Sequence, residues 1–277
     1  MPKAAVRGIT VHYDVLGDQG PWVALSPGGR NSMESVRSLA QGIAGEGHRV
    51  VIFDRRNCGA TDVMVEGDDS EYEIWADDLH ELLSQLNALP VIVGGSSSGC
   101  RLSLLFALRY PEAVKALLLW RVTGGGFAAA RLAEKYYGLY IEAARHGGMA
   151  AVCETEEFAE RIADNPSNWD RLMAMDPDRF IAVMSNWLAY FEAGAELPVI
   201  GVSESDLRSI AVPTCIVPGN DKTHPVSVAE TARDLIAGSE YHTLMDEVLD
   251  VDTTPFEDWD AKEADLATIF IDFLKRL

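Results

Sequence analysis

Short apolar runs separated by stretches of helical spacing dominate the first 120 residues of the chain. Ile9 to Leu16, ITVHYDVL, alternates between apolar and polar positions as a half-buried strand does, and Leu16-Gly17-Asp18-Gln19-Gly20 supplies the turn after it. Trp22 to Ser26 is apolar and ends in Pro27-Gly28-Gly29; residues 33 to 46 carry helical spacing, and Val50 to Phe53 is a second apolar run. The alternation continues with a helix over Tyr72 to Leu89, the strand Val91 to Gly94, a helix over Ser98 to Tyr110 and the strand Ala116 to Trp120. It resumes late in the chain, where strands Thr214 to Val217 and Tyr241 to Met245 flank a helix over Val226 to Ile236, and a helix over Trp259 to Leu277 closes the sequence. Apolar strands at helical separations predict a mostly parallel sheet covered on both faces, a doubly wound α/β core.

Between Gly124 and Asp206 the alternation stops and the segment becomes helix-forming and rich in aromatics, among them Tyr136, Tyr137, Tyr140, Trp187, Tyr190 and Phe191. The pattern predicts a core of residues 1–123 and 207–277 with a helical insertion, 124–206. An open α/β sheet leaves room for a ligand above the carboxyl ends of its strands, so the insertion is expected to cap the site. Most of its aromatics must pack on the core; a minority lining the pocket would suit a moderately large, apolar or ring-containing substrate.

Composition narrows the picture chiefly by exclusion. The 277 residues are 48% hydrophobic and 24% charged, with 23 glycines and 12 prolines, the balance of a globular chain. No apolar run reaches the roughly 20 residues that span a bilayer, and the N-terminus lacks a signal peptide's apolar stretch, so a soluble, cytoplasmic protein is expected. A formal charge of −20 argues against nucleic acid and anionic membranes as partners but does not identify a substrate; a small-molecule substrate is expected, and a homodimer is compatible. The four cysteines form no CxxC pair and read as small buried hydrophobes.

The chemistry concentrates in Val91-Ile92-Val93-Gly94-Gly95-Ser96-Ser97-Ser98-Gly99-Cys100-Arg101-Leu102, an apolar strand, a turn of small residues and a helix start. Gly95-Ser96-Ser97-Ser98-Gly99 fits G-x-S-x-G, a sharp strand-to-helix turn that projects its central serine into a cleft while the glycines let helix and strand approach. No lysine follows as in a phosphate-binding P-loop.

With this motif the sequence resembles the α/β-hydrolase superfamily, its helically capped members in particular, over nearly its whole length. Leu25-Ser26-Pro27-Gly28-Gly29 stands where the family has its His-Gly oxyanion loop, with Pro27 in place of the histidine. Phe53-Asp54-Arg55-Arg56-Asn57-Cys58-Gly59-Ala60-Thr61-Asp62 looks like the family's D-x-R-G-x-G-x-S-D loop, and Tyr110-Pro111-Glu112-Ala113-Val114 follows the elbow helix as in the family. Val217-Pro218-Gly219-Asn220-Asp221-Lys222-Thr223-His224-Pro225 looks like the loop that carries the catalytic acid. The resemblance implies Ser97 as nucleophile, Asp221 as acid, the Gly29 and Ser98 N–H groups as oxyanion hole, and no cofactor or metal.

One element of the pattern is missing. The family's base is a histidine after the last strand, and residues 243 to 277 contain none; the expected loop reads Met245-Asp246-Glu247-Val248-Leu249-Asp250-Val251-Asp252-Thr253-Thr254-Pro255. Of the six histidines, His12, His48 and His80 read as structural or solvated, and His242 lies before the carboxyl end of its strand. Asp77 and His80 share helical i, i+3 spacing but lack a third metal ligand. His146 lies in the insertion and could reach down. His224, three residues after Asp221, could complete a displaced relay to Ser97; the competing reading has His224-Pro225 merely starting the next helix. A carboxylate of Asp246, Glu247 or Asp250 could serve if burial raised its pKa.

Position nominates three substrate-binding residues: Arg30 beside the oxyanion loop, and Trp120 and Arg121 at a strand end. Two converging arginines would suit an acidic or oxygen-rich substrate. The sequence thus points to a cofactor-free enzyme acting on an ester, lactone or related carbonyl compound. Alternatives are a lyase, decarboxylase or C–C bond-cleaving enzyme using the same oxyanion hole, or a small-ligand-binding protein on a hydrolase scaffold.

Overall fold

In the computed structural model, which describes residues 1–277, the strands are β1 (Lys3–Val6), β2 (Ile9–Leu16), β3 (Trp22–Ser26), β4 (Arg49–Phe53), β5 (Val91–Ser96), β6 (Val114–Trp120), β7 (Thr214–Val217) and β8 (Glu240–Tyr241). They form one sheet in the order β1-β2-β4-β3-β5-β6-β7-β8. All pairs from β4 to β8 are parallel, while β1–β2 and β2–β4 are antiparallel. The doubly wound α/β expectation holds.

The reason is visible in burial. All six residues of β5 are buried, as a central strand covered on both faces requires. Leu39, Ile43, Phe270 and Phe273, from helices Arg37–Gly45 and Glu263–Leu274, cover one face. Trp75, Leu79, Leu102 and Phe106, from helices Glu71–Gln85 and Ser98–Arg109, cover the other.

Four details depart from the sequence expectation. Strand β1 was not expected; Arg7 and Gly8, both at positive φ (41° and 85°), form a two-residue hairpin that folds this short edge strand onto β2. Helix Glu71–Gln85 stops before Leu89, because Asn87 turns left-handed (φ 51°) and Leu89 precedes a proline. The last strand is Glu240–Tyr241 rather than 241 to 245, since the chain leaves the sheet toward the loop after β7. The final helix is two, Phe256–Asp260 and Glu263–Leu274, and the break sets the Glu263 carboxylate on the Leu39 N–H at 3.1 Å.

Between β6 and β7 lie the helices Gly126–Ala133, Leu139–Cys153, Glu156–Asp164, Ser167–Met173, Pro177–Ala193 and Glu204–Ser209, with a π-helical turn, Glu134–Gly138, between the first two. Their aromatics do not form a separate core. Tyr137, Trp187 and Phe191 join Tyr72 and Trp75 in one cluster of 57 buried residues. A polar pin adds register: fully buried Asn168 accepts from Val63 N–H (2.8 Å) and donates to the Thr61 and Arg161 carbonyls. Asn168→Ala leaves the buried Val63 N–H without a partner and is expected to cost about 2 kcal/mol, read as a lower denaturant midpoint at unchanged m.

Candidate active site

Ser97 sits between β5 and helix Ser98–Arg109 at φ 52°, ψ −110°, a conformation that costs a non-glycine residue on the order of 1–3 kcal/mol. Its N–H on the Trp120 carbonyl (3.1 Å) and its carbonyl on Arg101 N–H (3.2 Å) hold it there. The neighbouring glycines are obligatory: a Cβ on Gly95 would lie 2.2 Å from the Gly99 carbonyl carbon, and one on Gly99 would lie 2.3 Å from the Ser26 oxygen.

Three side chains meet at this turn. His224 Nε2 lies 2.9 Å from Ser97 Oγ, and His224 Nδ1 lies 2.8 Å from Asp221 Oδ1. The same carboxylate oxygen accepts from His224 N–H at 2.8 Å. Asp221 Oδ2 accepts from Thr254 N–H (2.8 Å) and faces Arg121 at 3.5 Å. His224-Pro225 does precede the helix Val226–Leu235, so the two readings of this histidine are compatible.

A four-residue loop accommodates both groups because it folds tightly back on itself and is braced. A Cβ at Gly219 would stand 2.2 Å from His224 Cβ, so only glycine lets the imidazole fold back over the strand end. The brace is the segment after β8. Lys222 N–H and Thr223 N–H donate to the Val251 and Asp252 carbonyls, and Leu249 N–H donates to the Asn220 carbonyl at 2.7 Å. Thr254 Oγ1 donates to Asn220 Oδ1 at 2.8 Å.

The other candidate bases lie elsewhere. Asp246, Glu247 and Asp250 are exposed, and Asp250 pairs with Lys222 at 2.8 Å, so none is the buried carboxylate that role requires. His146 is 79% exposed in its side chain and caps its own helix at the Glu142 carbonyl. Half-buried His80 stacks on Tyr110 at 4.0 Å, a structural role, and His242 bonds Glu240. Asp77 pairs with Arg109 and Arg7, and no cluster of three His, Cys, Asp or Glu suited to a metal occurs.

Burial alone would raise the Asp221 carboxyl, but hydrogen bonds from His224 and Thr254 and the imidazole's charge hold it well below the ordinary carboxylate value. Burial also disfavours the imidazolium of His224; with Arg121 and Arg101 adding repulsion, it is pushed down to about 4 despite Asp221. The imidazole is therefore neutral near pH 7, with its proton on Nδ1 facing the carboxylate and Nε2 free to accept.

Gly28 lies against Ser97, where a Cβ would be 3.3 Å from Ser97 Cβ. Its carbonyl accepts from Asn31 N–H at 3.2 Å, which turns the opposed N–H of the same peptide, that of Gly29, the other way; no acceptor in the fold takes it. Ser98 opens its helix, so its N–H has no intrahelical partner either. Arg55, buried behind both, donates to the Gly29 carbonyl (2.9 Å), the Gly28 carbonyl (3.5 Å) and Ser98 Oγ (3.2 Å), while Ser98 Oγ donates to the Gly29 carbonyl at 2.6 Å. The sequence offered Arg55 only as part of a loop motif; its reach to the oxyanion loop is a tertiary fact.

A cavity of about 590 Å³ opens onto Ser97 and His224, with Gly28 and Gly29 on one side and Leu132, Tyr136 and Arg161 of the inserted helices on another. Of the inserted segment's aromatics, Tyr136 lines the cavity, while Tyr137, Trp187 and Phe191 pack in the core, as the sequence led one to expect of the majority. Trp120 is at the wall, packed on Phe270. Arg30 and Arg121 also reach the wall, but not as free cations. Both terminal nitrogens of Arg30 hold Glu71 at 2.6 Å, and Arg121 faces Asp221. The expected pair of converging positive groups is thus already neutralised.

The model of a family described as alpha/beta hydrolase fold matches residues 21–120. The chain has the α/β-hydrolase fold. An enol-lactonase from Burkholderia xenovorans LB400 superimposes on this α/β-hydrolase-fold chain with a TM-score of 0.65, at 20% identity, over 99% of this chain and 100% of that one. Est816, an enzyme degrading N-acyl homoserine lactone, does so with a TM-score of 0.62 at 18% identity, over 100% of both chains. Among curated proteins, the uncharacterized hydrolase YraK of Bacillus subtilis is 32% identical over 113 residues, 41% of this chain and 41% of that protein. The sn-1-specific diacylglycerol lipase of Mus musculus is 32% identical over 120 residues, 42% of this chain and 38% of that protein. The similarity thus spans about two fifths of the curated relatives' length.

Arg55→Met removes the shared anchor of Gly29 and Ser98. It is expected to slow phosphonylation of Ser97 by about 10-fold or more, followed by intact mass in protein that still melts cooperatively, and Arg55→Lys is expected not to restore the rate because an ammonium cannot span three acceptors.

Proposed function

We propose that the chain hydrolyses an ester or lactone bond of a small molecule through an acyl-enzyme, with Ser97 as nucleophile, His224 as general base and acid, and Asp221 orienting the imidazole. The observation that carries this reading is the unbroken line from Asp221 through His224 to Ser97 Oγ, with links of 2.8 and 2.9 Å. The fold and the similarity to lactonases and a lipase support it.

The chemistry follows from the groups present. Ser97 Oγ attacks the substrate carbonyl carbon while its proton passes to His224 Nε2, and the carbonyl π pair moves onto oxygen, facing the N–H groups of Gly29 and Ser98. His224 then gives that proton to the departing alkoxide, which leaves as an alcohol or, from a lactone, remains tethered to the acyl group. Water repeats the sequence in the second half: it loses its proton to Nε2, attacks the acyl carbon and expels Ser97, which regains the proton. Asp221 holds Nδ1–H and stabilises the imidazolium in both halves.

The inserted helices act as a cap in this reading, since Tyr136 and Arg161 face the cavity opposite Ser97 and the cavity volume suits a small molecule. Trp120 forms a substrate wall; Arg30 and Arg121 shape it and fix Glu71 and Asp221 rather than receive a charged group. The enolate and binding-only alternatives drew on an absent base; with His224 within reach of Ser97 Oγ, neither is favoured.

A fluorophosphonate probe read by intact mass tests the reading. One adduct is expected on the wild type, none on Ser97→Ala, and a labelling rate about 1,000-fold lower or more for His224→Ala. Absence of an adduct on the wild type, or equal rates with and without His224, would contradict it. The pH dependence carries a sign as well. Only neutral Nε2 accepts a proton, so the wild-type rate is expected to hold as pH falls through the ordinary imidazole value of 6.5 and to drop only near the folded value of about 4.

A further inference from the structure

Ser97 Oγ has a second neighbour that the relay does not use. Thr123 Oγ1 lies 3.2 Å from it, both atoms buried, and this is the only hydrogen bond of that hydroxyl. Thr123 follows β6 by three residues and is fully buried. Its backbone is fixed independently of its side chain: the Thr123 carbonyl accepts from Ile200 N–H at 3.3 Å, at the seam where the inserted helices leave and rejoin the sheet.

The direction of the bond follows from counting protons. An ionised Asp221 only accepts, so His224 Nδ1 carries the hydrogen of that contact and Nε2 is bare. Ser97 has one hydroxyl proton, and it goes to Nε2 at 2.9 Å. The proton between Ser97 and Thr123 must therefore come from Thr123. The nucleophile thus donates to the base and accepts from Thr123 at the same time.

We propose that the Thr123 hydroxyl is a catalytic residue: a hydrogen-bond donor that stabilises negative charge on Ser97 Oγ as the nucleophile attacks and again as it departs from the acyl-enzyme. This rests on the hydrolytic reading above. As the Ser97 O–H bond breaks toward Nε2, electron density grows on Oγ, and a bond from a neutral donor to a neutral acceptor becomes charge-assisted and stronger. Only that increase accelerates the step, since the weaker bond is already present at rest. In the second half the Oγ–acyl carbon bond breaks with its electron pair on Oγ, and Thr123 again faces the charged atom while His224 returns the proton. Thr123 keeps its own proton throughout. The same bond holds the Ser97 side chain toward His224, so its loss acts on the reacting atom and on its aim together. Space-filling alone would need no hydroxyl here, since a valine fits the volume and asks for no partner.

The test is the second-order rate of fluorophosphonate labelling of Ser97 in Thr123→Val, Thr123→Ala and Thr123→Ser. Valine and alanine remove the donor and are expected to slow labelling by about 10-fold, the difference between a charge-assisted and a neutral hydrogen bond, whereas serine keeps the donor and the wild-type rate within about 3-fold. The acid limb of the rate is expected to stay where it is in the wild type, because His224 is untouched. Equal rates for Thr123→Val and wild type overturn the proposal. If the valine variant does not fold, the alanine–serine comparison decides in its place, and equal rates there overturn it too. A wild type that takes no label sinks the hydrolytic reading instead, which keeps the two failures apart.

Discussion

The site depends on one compressed interaction: Asp221 and His224, three residues apart, share a loop at the end of β7 and reach Ser97 across the sheet from it. Placing acid and base on one short loop requires the chain to fold back sharply, which Gly219 permits, and it leaves the loop's outward backbone groups to be paired from elsewhere. The segment after β8 pairs them. Where the family pattern would place a histidine, Thr254 hydrogen-bonds the acid and its neighbour Asn220. The placement of His224 beside Asp221 and the bracing of their loop by the segment after β8 are thus two parts of one arrangement.

Charge around Ser97 is arranged so that His224 stays neutral. In a chain of net charge −20, the neighbourhood of Ser97 is locally rich in buried cations. Arg30 and Arg121 are matched by Glu71 and Asp221, but Arg55 and Arg101 have no carboxylate partner and lie over the rings of Trp75 and Tyr72. Positive charge held away from water disfavours a protonated His224 and favours negative charge on an oxygen at Ser97 or at the N–H groups of Gly29 and Ser98. The same burial that makes these arginines costly makes their field effective, because little solvent screens it.

Much of this was legible in the chain. Strand β5 and the Gly95–Gly99 turn announce themselves, because close backbone approach admits only glycine at the flanks. The loop of residues 217 to 225 was legible only through its resemblance to the family's corresponding loop. What local pattern could not supply was contact between segments far apart: Arg55 reaching Gly28 and Gly29, Thr123 reaching Ser97, and residues 249 to 254 bracing 220 to 223. Arg30 and Arg121 show the opposite error. Their chain positions at the cleft were read correctly, but their partners, Glu71 on a helix and Asp221 on a loop, consume the charge that position alone suggested was free. The aromatics of the insertion serve packing for the most part, as expected, because a helical layer with no core of its own must bury them against Tyr72 and Trp75.

The most direct test of the account is a crystal structure of the protein after reaction with a fluorophosphonate. The account predicts phosphorus bonded to Ser97 Oγ, the phosphoryl oxygen within hydrogen-bond distance of both Gly29 N and Ser98 N, and His224 still seated between Asp221 and the adduct. An adduct whose oxygen avoids those two amides, or a His224 swung away with a carboxylate of the 246–252 segment in its place, would contradict it.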